Sequence, residues 1–124
     1  LRESKFAWAE LLRRQDRRAD AVKLYKKLAS DVRTKEGSAA AYYVLEDVFA
    51  GGDMDKAEKA IFAYSEREPQ AYWLAKAFIL LGDVYVRKGD NFQARATYQS
   101  VADGYSPADD GIVAEAKERI AKLN

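Results

Sequence analysis

The sequence contains no cysteine and no histidine. Without these side chains there is no Ser-His-Asp triad, no cysteine nucleophile and no zinc site built from thiolates or imidazoles. Structural disulfides and haem ligation by His or Cys are excluded for the same reason. The absence of Cys fits an oxidising or a reducing compartment equally well, so it does not locate the protein.

Long apolar runs and a strong net charge are missing as well. The longest apolar stretch, Ala77 to Leu81, is far shorter than the roughly 20 residues that a membrane-spanning helix needs, so no such segment is predicted. The formal net charge of +1 provides no bulk attraction to nucleic acid or to an anionic membrane. With 124 residues, 48% hydrophobic and 33% charged, the chain is expected to form one soluble domain, residues 1–124.

Proline and glycine are scarce, and their spacing divides the chain into similar lengths. The two prolines stand 38 positions apart, and Gly52-Asp53 and Gly89-Asp90 stand 37 apart. Glycine suits the left-handed backbone at a helix end, and aspartate caps the helix that follows. Apolar residues between these marks recur with helical spacing, and no strict alternation predicts a strand. The pattern predicts seven helices, each antiparallel to the next because the links are short: about 2–14, 18–33, 37–51, 53–68, 70–88, 90–105 and 109–123.

One part of the chain carries a motif. Its residues are Phe78-x-x-Leu81-Gly82-x-x-Tyr85, then Gly89, Ala94-x-x-x-Tyr98 and Pro107. This motif resembles the tetratricopeptide repeat (TPR), which has an aromatic residue, Leu-Gly and Tyr in one helix and Ala-x3-aromatic in the next. Two earlier segments match more loosely. The resemblance implies repeats at about 2–33, 38–69 and 75–107, followed by a capping helix at about 109–123.

The TPR resemblance implies an all-α fold in which antiparallel helix-turn-helix repeats stack into a right-handed solenoid. An unrelated antiparallel helix bundle is the alternative. The stretch from Gln70 to Leu123 is also similar to the C-terminal end of long bacterial TPR proteins. Since the chain starts at Leu1 and not at Met, we expect a fragment of such a bacterial protein. Its compartment is unknown: the cytoplasm, or the bacterial cell envelope if a signal precedes the fragment.

Residues that could carry catalysis are few. Pairs of carboxylates stand at predicted helix ends, where capping and the helix dipole explain them: Asp53 with Asp55, Glu66 with Glu68, and Asp109 with Asp110. The first pair lacks the glycine and the glutamate of a calcium loop. No phosphate loop and no dinucleotide fingerprint is present. The sequence therefore predicts no enzyme, no metal site and no cofactor.

Positive charge is concentrated near the N-terminus. Residues 1–36 carry net +5, from 11 basic and 6 acidic side chains, and residues 37–124 carry net −4, from 10 and 14. This segment either binds an acidic protein or a nucleic-acid backbone, or it is a solvated turn and helix face, which we favour. Helical-repeat proteins that read bases repeat Asn, Gln or Ser at equivalent positions. No such set occurs, so no nucleic-acid partner is expected.

In TPR proteins the first helix of each repeat lines a concave groove, so aligning the repeats on Ala21, Ala57 and Ala94 predicts its residues. Side chains fifteen, eleven and seven positions before these alanines form an apolar row, an acidic row and a broken basic edge: Phe6, Tyr42 and Ile79; Glu10, Glu46 and Asp83; Arg14 and Arg87. A peptide with apolar anchors and a Lys or Arg would fit this groove. The TPR subtype that grips C-terminal carboxylates has Asn in place of the acidic row, so that subtype is rejected.

The sequence thus predicts a non-catalytic protein-protein interaction module, a TPR scaffold that binds a protein or peptide through its groove. The alternative is a structural element of a larger helical-repeat protein whose exposed faces serve self-association. The two hypotheses differ in the expected oligomeric state of the isolated chain.

Overall fold

The computed structural model describes residues 1–106 and 108–123, and all regular structure in this part of the chain is helical. The helices are α1 (Arg2–Arg14), α2 (Arg18–Leu28), α3 (Lys35–Ala50), α4 (Met54–Ser65), α5 (Ala71–Arg87), α6 (Asn91–Gly104) and α7 (Ile112–Ala121). The prediction of an all-helical fold with seven helices is confirmed for the described residues. Pro107, the last position of the third predicted repeat, lies outside them.

Three short turns, residues 15–17, 51–53 and 88–90, join the helices in pairs. Each turn has one residue with a left-handed backbone, at the position five before the alanines used to align the repeats. Gly52 (φ 93°) and Gly89 (φ 79°) hold it in the second and third pairs, and Asp16 (φ 62°) holds it in the first. Aspartate is one of the few residues besides glycine that visit this conformation. The three helix pairs therefore share one turn geometry although the first lacks glycine.

The predicted aspartate caps are also confirmed. The Asp53 carboxylate accepts a hydrogen bond from the Lys56 amide at 3.1 Å. The Asp90 carboxylate accepts from the Gln93 amide at 3.0 Å and from the Gln93 side chain at 3.2 Å. Each cap satisfies an amide that has no partner within the helix.

The helices pack in a regular order. Every helix contacts its successor, and the odd-numbered helices α1, α3, α5 and α7 also contact one another in sequence, whereas even-numbered helices do not approach each other among the described residues. Partners within a pair are antiparallel, as Tyr64 near the end of α4 bonds Ser38 near the start of α3. Two ion pairs, Lys76–Glu115 and Asp83–Arg119, join α5 to α7. The earlier residue of α5 pairs with the earlier residue of α7, so these two helices are parallel. The odd helices thus form a parallel layer with the even helices on one side.

Close packing of α5 and α6 depends on Gly82. A Cβ atom at this position would overlap the ring of Tyr98, which is 1% exposed. Gly82 and Ala94 are the small residues of the sequence motif, which predicts that they face each other across this helix pair. Ala94 is fully buried, but the side chain that fills the space over Gly82 belongs to Tyr98, one helical turn further on.

The link between α2 and α3 begins earlier than predicted, because α2 ends at Leu28 and not near residue 33. Side chains in this link bond the backbone in place of a continued helix. Asp31 accepts from the Arg33 amide at 3.1 Å, and Thr34 caps α3 by accepting from the Gly37 amide at 3.0 Å. Side chains of this kind compete with helical hydrogen bonds and favour turns and caps.

Ser38 is the buried polar residue on which two links converge. Its hydroxyl donates to the Val32 carbonyl in the link before α3 and accepts from the Gln70 amide at 2.9 Å in the link before α5. Its own carbonyl accepts from the Tyr64 hydroxyl at 2.8 Å. The Ser38 side chain therefore joins the link before α3 to the link before α5.

Candidate functional site

The acidic residues predicted to line a groove lie on one face of the odd-helix layer. Glu10, Glu46 and Asp83 are all half-buried, on α1, α3 and α5. Burial is the main cause that raises the pKa of Tyr43 and Tyr42, and nearby carboxylates add to it, Glu10 and Glu46 at Tyr43, and Glu46 and Asp83 at Tyr42. The helices that carry these carboxylates also contact one another in sequence, α1 with α3 and α3 with α5. The structure therefore brings the predicted acidic row together across three helices.

Each carboxylate of the row already has a partner. Glu10 pairs with Arg14 at 3.2 Å, one turn along α1. Glu46 accepts from the Tyr42 hydroxyl at 2.9 Å. Asp83 accepts from the Tyr98 hydroxyl and pairs with Arg119 of α7 at 3.1 Å. The negative charge at the α5 end of the row is thus compensated within the protein.

The apolar row differs from its prediction. Phe6 is half-buried, but Tyr42 is 5% and Ile79 2% exposed. Ile79 belongs to the large buried cluster that side chains of α3 to α7 share. The expectation that Ile79 presents its side chain to a ligand is therefore wrong, and of this row Phe6 alone offers apolar surface.

The two predicted basic residues are exposed, and they are the last residues of α1 and α5. Arg14 pairs with Glu10, as described above, and Arg87 holds its guanidinium carbon 5.1 Å from the ring centroid of Phe49. A guanidinium over an aromatic face is held by the ring quadrupole. Arg87 therefore stays near the C-terminal end of α3.

A groove of about 540 Å³ lies between α1, α3 and α5. Its walls combine two aromatic side chains with three carboxylates and one ammonium group: Phe6, Trp73, Glu3, Glu10, Glu36 and Lys35, with Ala39 at the base. Two of the three carboxylates pair with arginines at the edge of the groove, since Glu10 lies 3.2 Å from Arg14 and Glu36 lies 3.9 Å from Arg2. Its aromatic walls and acidic residues together can hold an apolar group beside a cation.

Aromatic rings connect this groove to the core. Trp73 contacts Tyr42 and Tyr43 with ring centroids 5.6 and 5.7 Å apart, and Tyr72 at 5.0 Å. Tyr25, on α2, lies 5.0 Å from Tyr43. Aromatic pairs at such distances add about 0.5–1.5 kcal/mol beyond their buried area. The groove wall is therefore supported from behind by packed side chains.

Burial also keeps the tyrosine hydroxyls of this cluster protonated. Loss of water around Tyr43 raises its pKa to about 12, with Arg13 opposing the shift. Burial, reinforced by the Glu46 carboxylate, raises the pKa of Tyr42 still further. Both hydroxyls remain neutral hydrogen-bond donors at physiological pH, and the Arg13 guanidinium lies 4.3 Å above the Tyr43 ring.

Sequence reasoning missed Trp73, Glu36 and Glu3 as groove residues. Trp73 and Glu36 lie in the first turn of α5 and α3, ahead of the three positions used for alignment. Every odd helix contributes its first turn to the same end of the layer, because the odd helices are parallel. The available signal was equivalent placement, because Glu36 and Trp73 both stand 21 positions before the alanines used to align their repeats.

The described ranges, 1–106 and 108–123, contain no cluster of three or more acidic side chains that could hold a metal ion. No helix there is both long and apolar enough to cross a membrane.

Comparison of the chain with protein-family models, with curated proteins and with solved structures finds no match.

Proposed function

We propose that the chain is a TPR-like helical-repeat scaffold that binds a protein or peptide without catalysis. The repeat architecture is supported by the shared turn geometry at Asp16, Gly52 and Gly89. It is supported also by the packing order, in which odd helices stack side by side and each even helix packs on the next odd one. In this arrangement α7 covers the last repeat, which fits a capping role.

The observation that carries the proposed binding function is the groove between α1, α3 and α5. Phe6 and Trp73 provide apolar contact, and Glu3, Glu10 and Glu36 provide negative charge. The fitting ligand is a segment of a bacterial protein partner with an apolar residue next to a Lys or Arg, which places the cation near both the carboxylates and the rings.

The other hypothesis, a structural element that self-associates, has support of its own. Phe62 on α4 is 45% exposed and Phe92 on α6 is 85% exposed, so the even-helix side carries large aromatic residues that contact water. Burial of such side chains is a source of association free energy. Sedimentation of the isolated chain at tens of micromolar separates the two hypotheses, since an element that works by self-association must form dimers or larger assemblies.

A peptide library displayed on phage tests the groove. Enriched peptides should carry Lys or Arg beside an apolar residue. Their affinity should fall at least tenfold, or about 1.4 kcal/mol, for a Phe6→Ser variant and for the combined Glu3→Gln, Glu10→Gln and Glu36→Gln variant.

The matched control is Phe62→Ser, which removes a partly exposed aromatic ring on α4 that does not line the groove. It should leave the affinity of the selected peptides unchanged. Binders that tolerate the groove variants but lose affinity with Phe62→Ser would refute the assignment of the groove. All variants should melt within a few degrees of the parent chain, which separates loss of binding from loss of fold.

A further inference from the structure

The first helix carries an unpartnered stripe on the side away from its own repeat. Its members are Leu1, Ser4, Trp8, Leu11 and Gln15, which follow the alternating three- and four-residue spacing of a helix-packing seam. Leu1 is 95%, Trp8 53% and Leu11 42% exposed. We call these five residues the α1 stripe. Three large apolar residues on one helix face are exposed where a seam would normally be covered.

The second repeat shows what covers this position. Counted from the alignment alanines, the α3 residues equivalent to Ser4, Trp8 and Leu11 are Ala40, Val44 and Asp47. Ala40 is buried in one cluster with Ala21 and Tyr25 of α2, and Val44 packs against that cluster. Asp47 pairs with Arg18 of α2 at 3.5 Å. In α3, therefore, the stripe is the contact surface of the preceding even helix.

The third repeat repeats this arrangement. The equivalent residues of α5 are Ala77, Leu81 and Val84, with exposures of 0, 3 and 0%. They belong to the same buried cluster as Ala57 and Ile61 of α4, the helix that packs against α5 from before it. Two of the three repeats thus cover the stripe with an amphipathic helix, and α1 presents the same register with larger apolar side chains.

The charge around the stripe selects among possible occupants. Lys5 is exposed three positions before Trp8 and therefore borders the stripe. The helix α1 itself, Arg2–Arg14, carries net +2, from four basic and two acidic side chains. Two copies of this segment placed face to face would repel each other, whereas an acidic partner would be attracted.

We propose that the α1 stripe docks an acidic amphipathic helix of a protein partner. The helix lies on α1 as α2 lies on α3, with apolar residues against Trp8 and Leu11 and acidic residues near Lys5. This surface is distinct from the groove, because Phe6 and Glu10 point to other sides of α1 and line the groove wall. The two surfaces can be inactivated separately, so failure of one proposal leaves the other standing.

The probe is a synthetic peptide with the sequence of residues 53–66. This segment contains α4, which covers the equivalent positions of α5, and it has four acidic and two basic side chains. In a Trp73→Phe background Trp8 is the only tryptophan, so its emission reports on the stripe. Titration should give a saturable blue shift, with a dissociation constant of about 1 mM or below because a short peptide must also become helical.

Two comparisons make the test specific. Leu11→Glu should weaken peptide binding at least tenfold, while Phe92→Glu, which changes an 85% exposed aromatic residue on α6, should leave it within twofold. A peptide with Asp53, Asp55 and Glu58 changed to Lys should bind several-fold more weakly at low salt. A linear, unsaturated titration, or equal binding by the Leu11→Glu variant, would overturn the proposal. So would a dimer of the chain alone that Leu11→Glu abolishes, since a second copy would then be the occupant.

Discussion

Replacement of Gly82 by alanine provides a stringent test of the helix packing. Alanine favours a helix interior over glycine by about 1 kcal/mol, so substitution at an open helical position stabilises a protein. At Gly82 the added methyl group meets the Tyr98 ring at distances that real Cβ atoms do not adopt. The ring is held by burial and by its hydrogen bond to Asp83, so it cannot move aside without losing that bond.

Overpacking and helix propensity together determine how much Gly82→Ala changes the free energy of unfolding. Overpacking of a filled core typically costs about 1–3 kcal/mol, and the helix propensity returns about 1 kcal/mol of it. We expect net destabilisation of about 1–2 kcal/mol, which for a domain of this size lowers the melting temperature by about 4 °C per kcal/mol. Gly104 lies in the last turn of α6, where an added Cβ atom would have no neighbouring atom within 4 Å. Gly104→Ala is the matched control and should stabilise by about 0.5 kcal/mol.

Urea denaturation of the two single variants measures these free energies of unfolding. A Tyr98→Leu background then isolates the contact, because the smaller side chain leaves room for the methyl group. There Gly82→Ala should cost at least about 1 kcal/mol less than in the parent chain. Equal costs in both backgrounds, or stabilisation by Gly82→Ala in the parent, would refute the packing of Gly82 against Tyr98.

Three further outcomes follow from the structure. Ser38→Ala leaves the Gln70 amide and the Val32 carbonyl without their buried partner. It should lower the free energy of unfolding, measured by denaturant titration, by about 1–3 kcal/mol. An unchanged midpoint of unfolding would show that the Ser38 hydrogen bonds do not hold the two links in place. Positions 16 and 52 both have left-handed backbones, which glycine adopts without strain. Asp16→Gly should therefore raise the free energy of unfolding slightly, whereas Gly52→Ala should lower it by about 1 kcal/mol. A change in the same direction for both variants would contradict this. Burial raises the pKa of Tyr43 to about 12, and burial together with the hydrogen bond to Glu58 raises the pKa of Tyr85 to about 12. The tyrosines of the unfolded chain lose their protons at lower pH than these buried ones. Their contribution to stability is therefore complete below pH 10 and is lost between pH 10 and 12. Circular dichroism and tyrosinate absorbance should therefore show unfolding in that window, and little change between pH 6 and 9, because no His or Cys is present; unfolding near neutral pH would argue against it.

Local chemistry made much of the fold predictable from sequence. Asp53 and Asp90 cap helices, and Gly52 and Gly89 adopt positive φ, because each effect depends on one residue and its immediate neighbours. The equivalent role of Asp16 was missed, since aspartate adopts that conformation less often than glycine. The early end of α2 was missed as well, because its apolar periodicity continues to Val32 while the turn is decided by side-chain hydrogen bonds.

The candidate site was only partly predictable, since it depends on how closely neighbouring helices approach. Register alone correctly grouped Glu10, Glu46 and Asp83 on one face. It could not show that Arg119, 36 positions away, pairs with Asp83. This contact arises from the tertiary distance between α5 and α7, which no spacing within one helix encodes.

The division of the core has a consequence for local opening. Side chains of α1 and α2 form a small cluster with Ala40, whereas α3 to α7 share a larger one. Because α1 and α2 contact no helix beyond α3, their separation from the rest breaks few contacts elsewhere. Amide hydrogens of the first pair should therefore exchange with solvent through a partial opening, at a lower free energy than those of α5. A helix bound to the α1 stripe would slow this exchange, and the first pair would then become as protected as the centre of the protein.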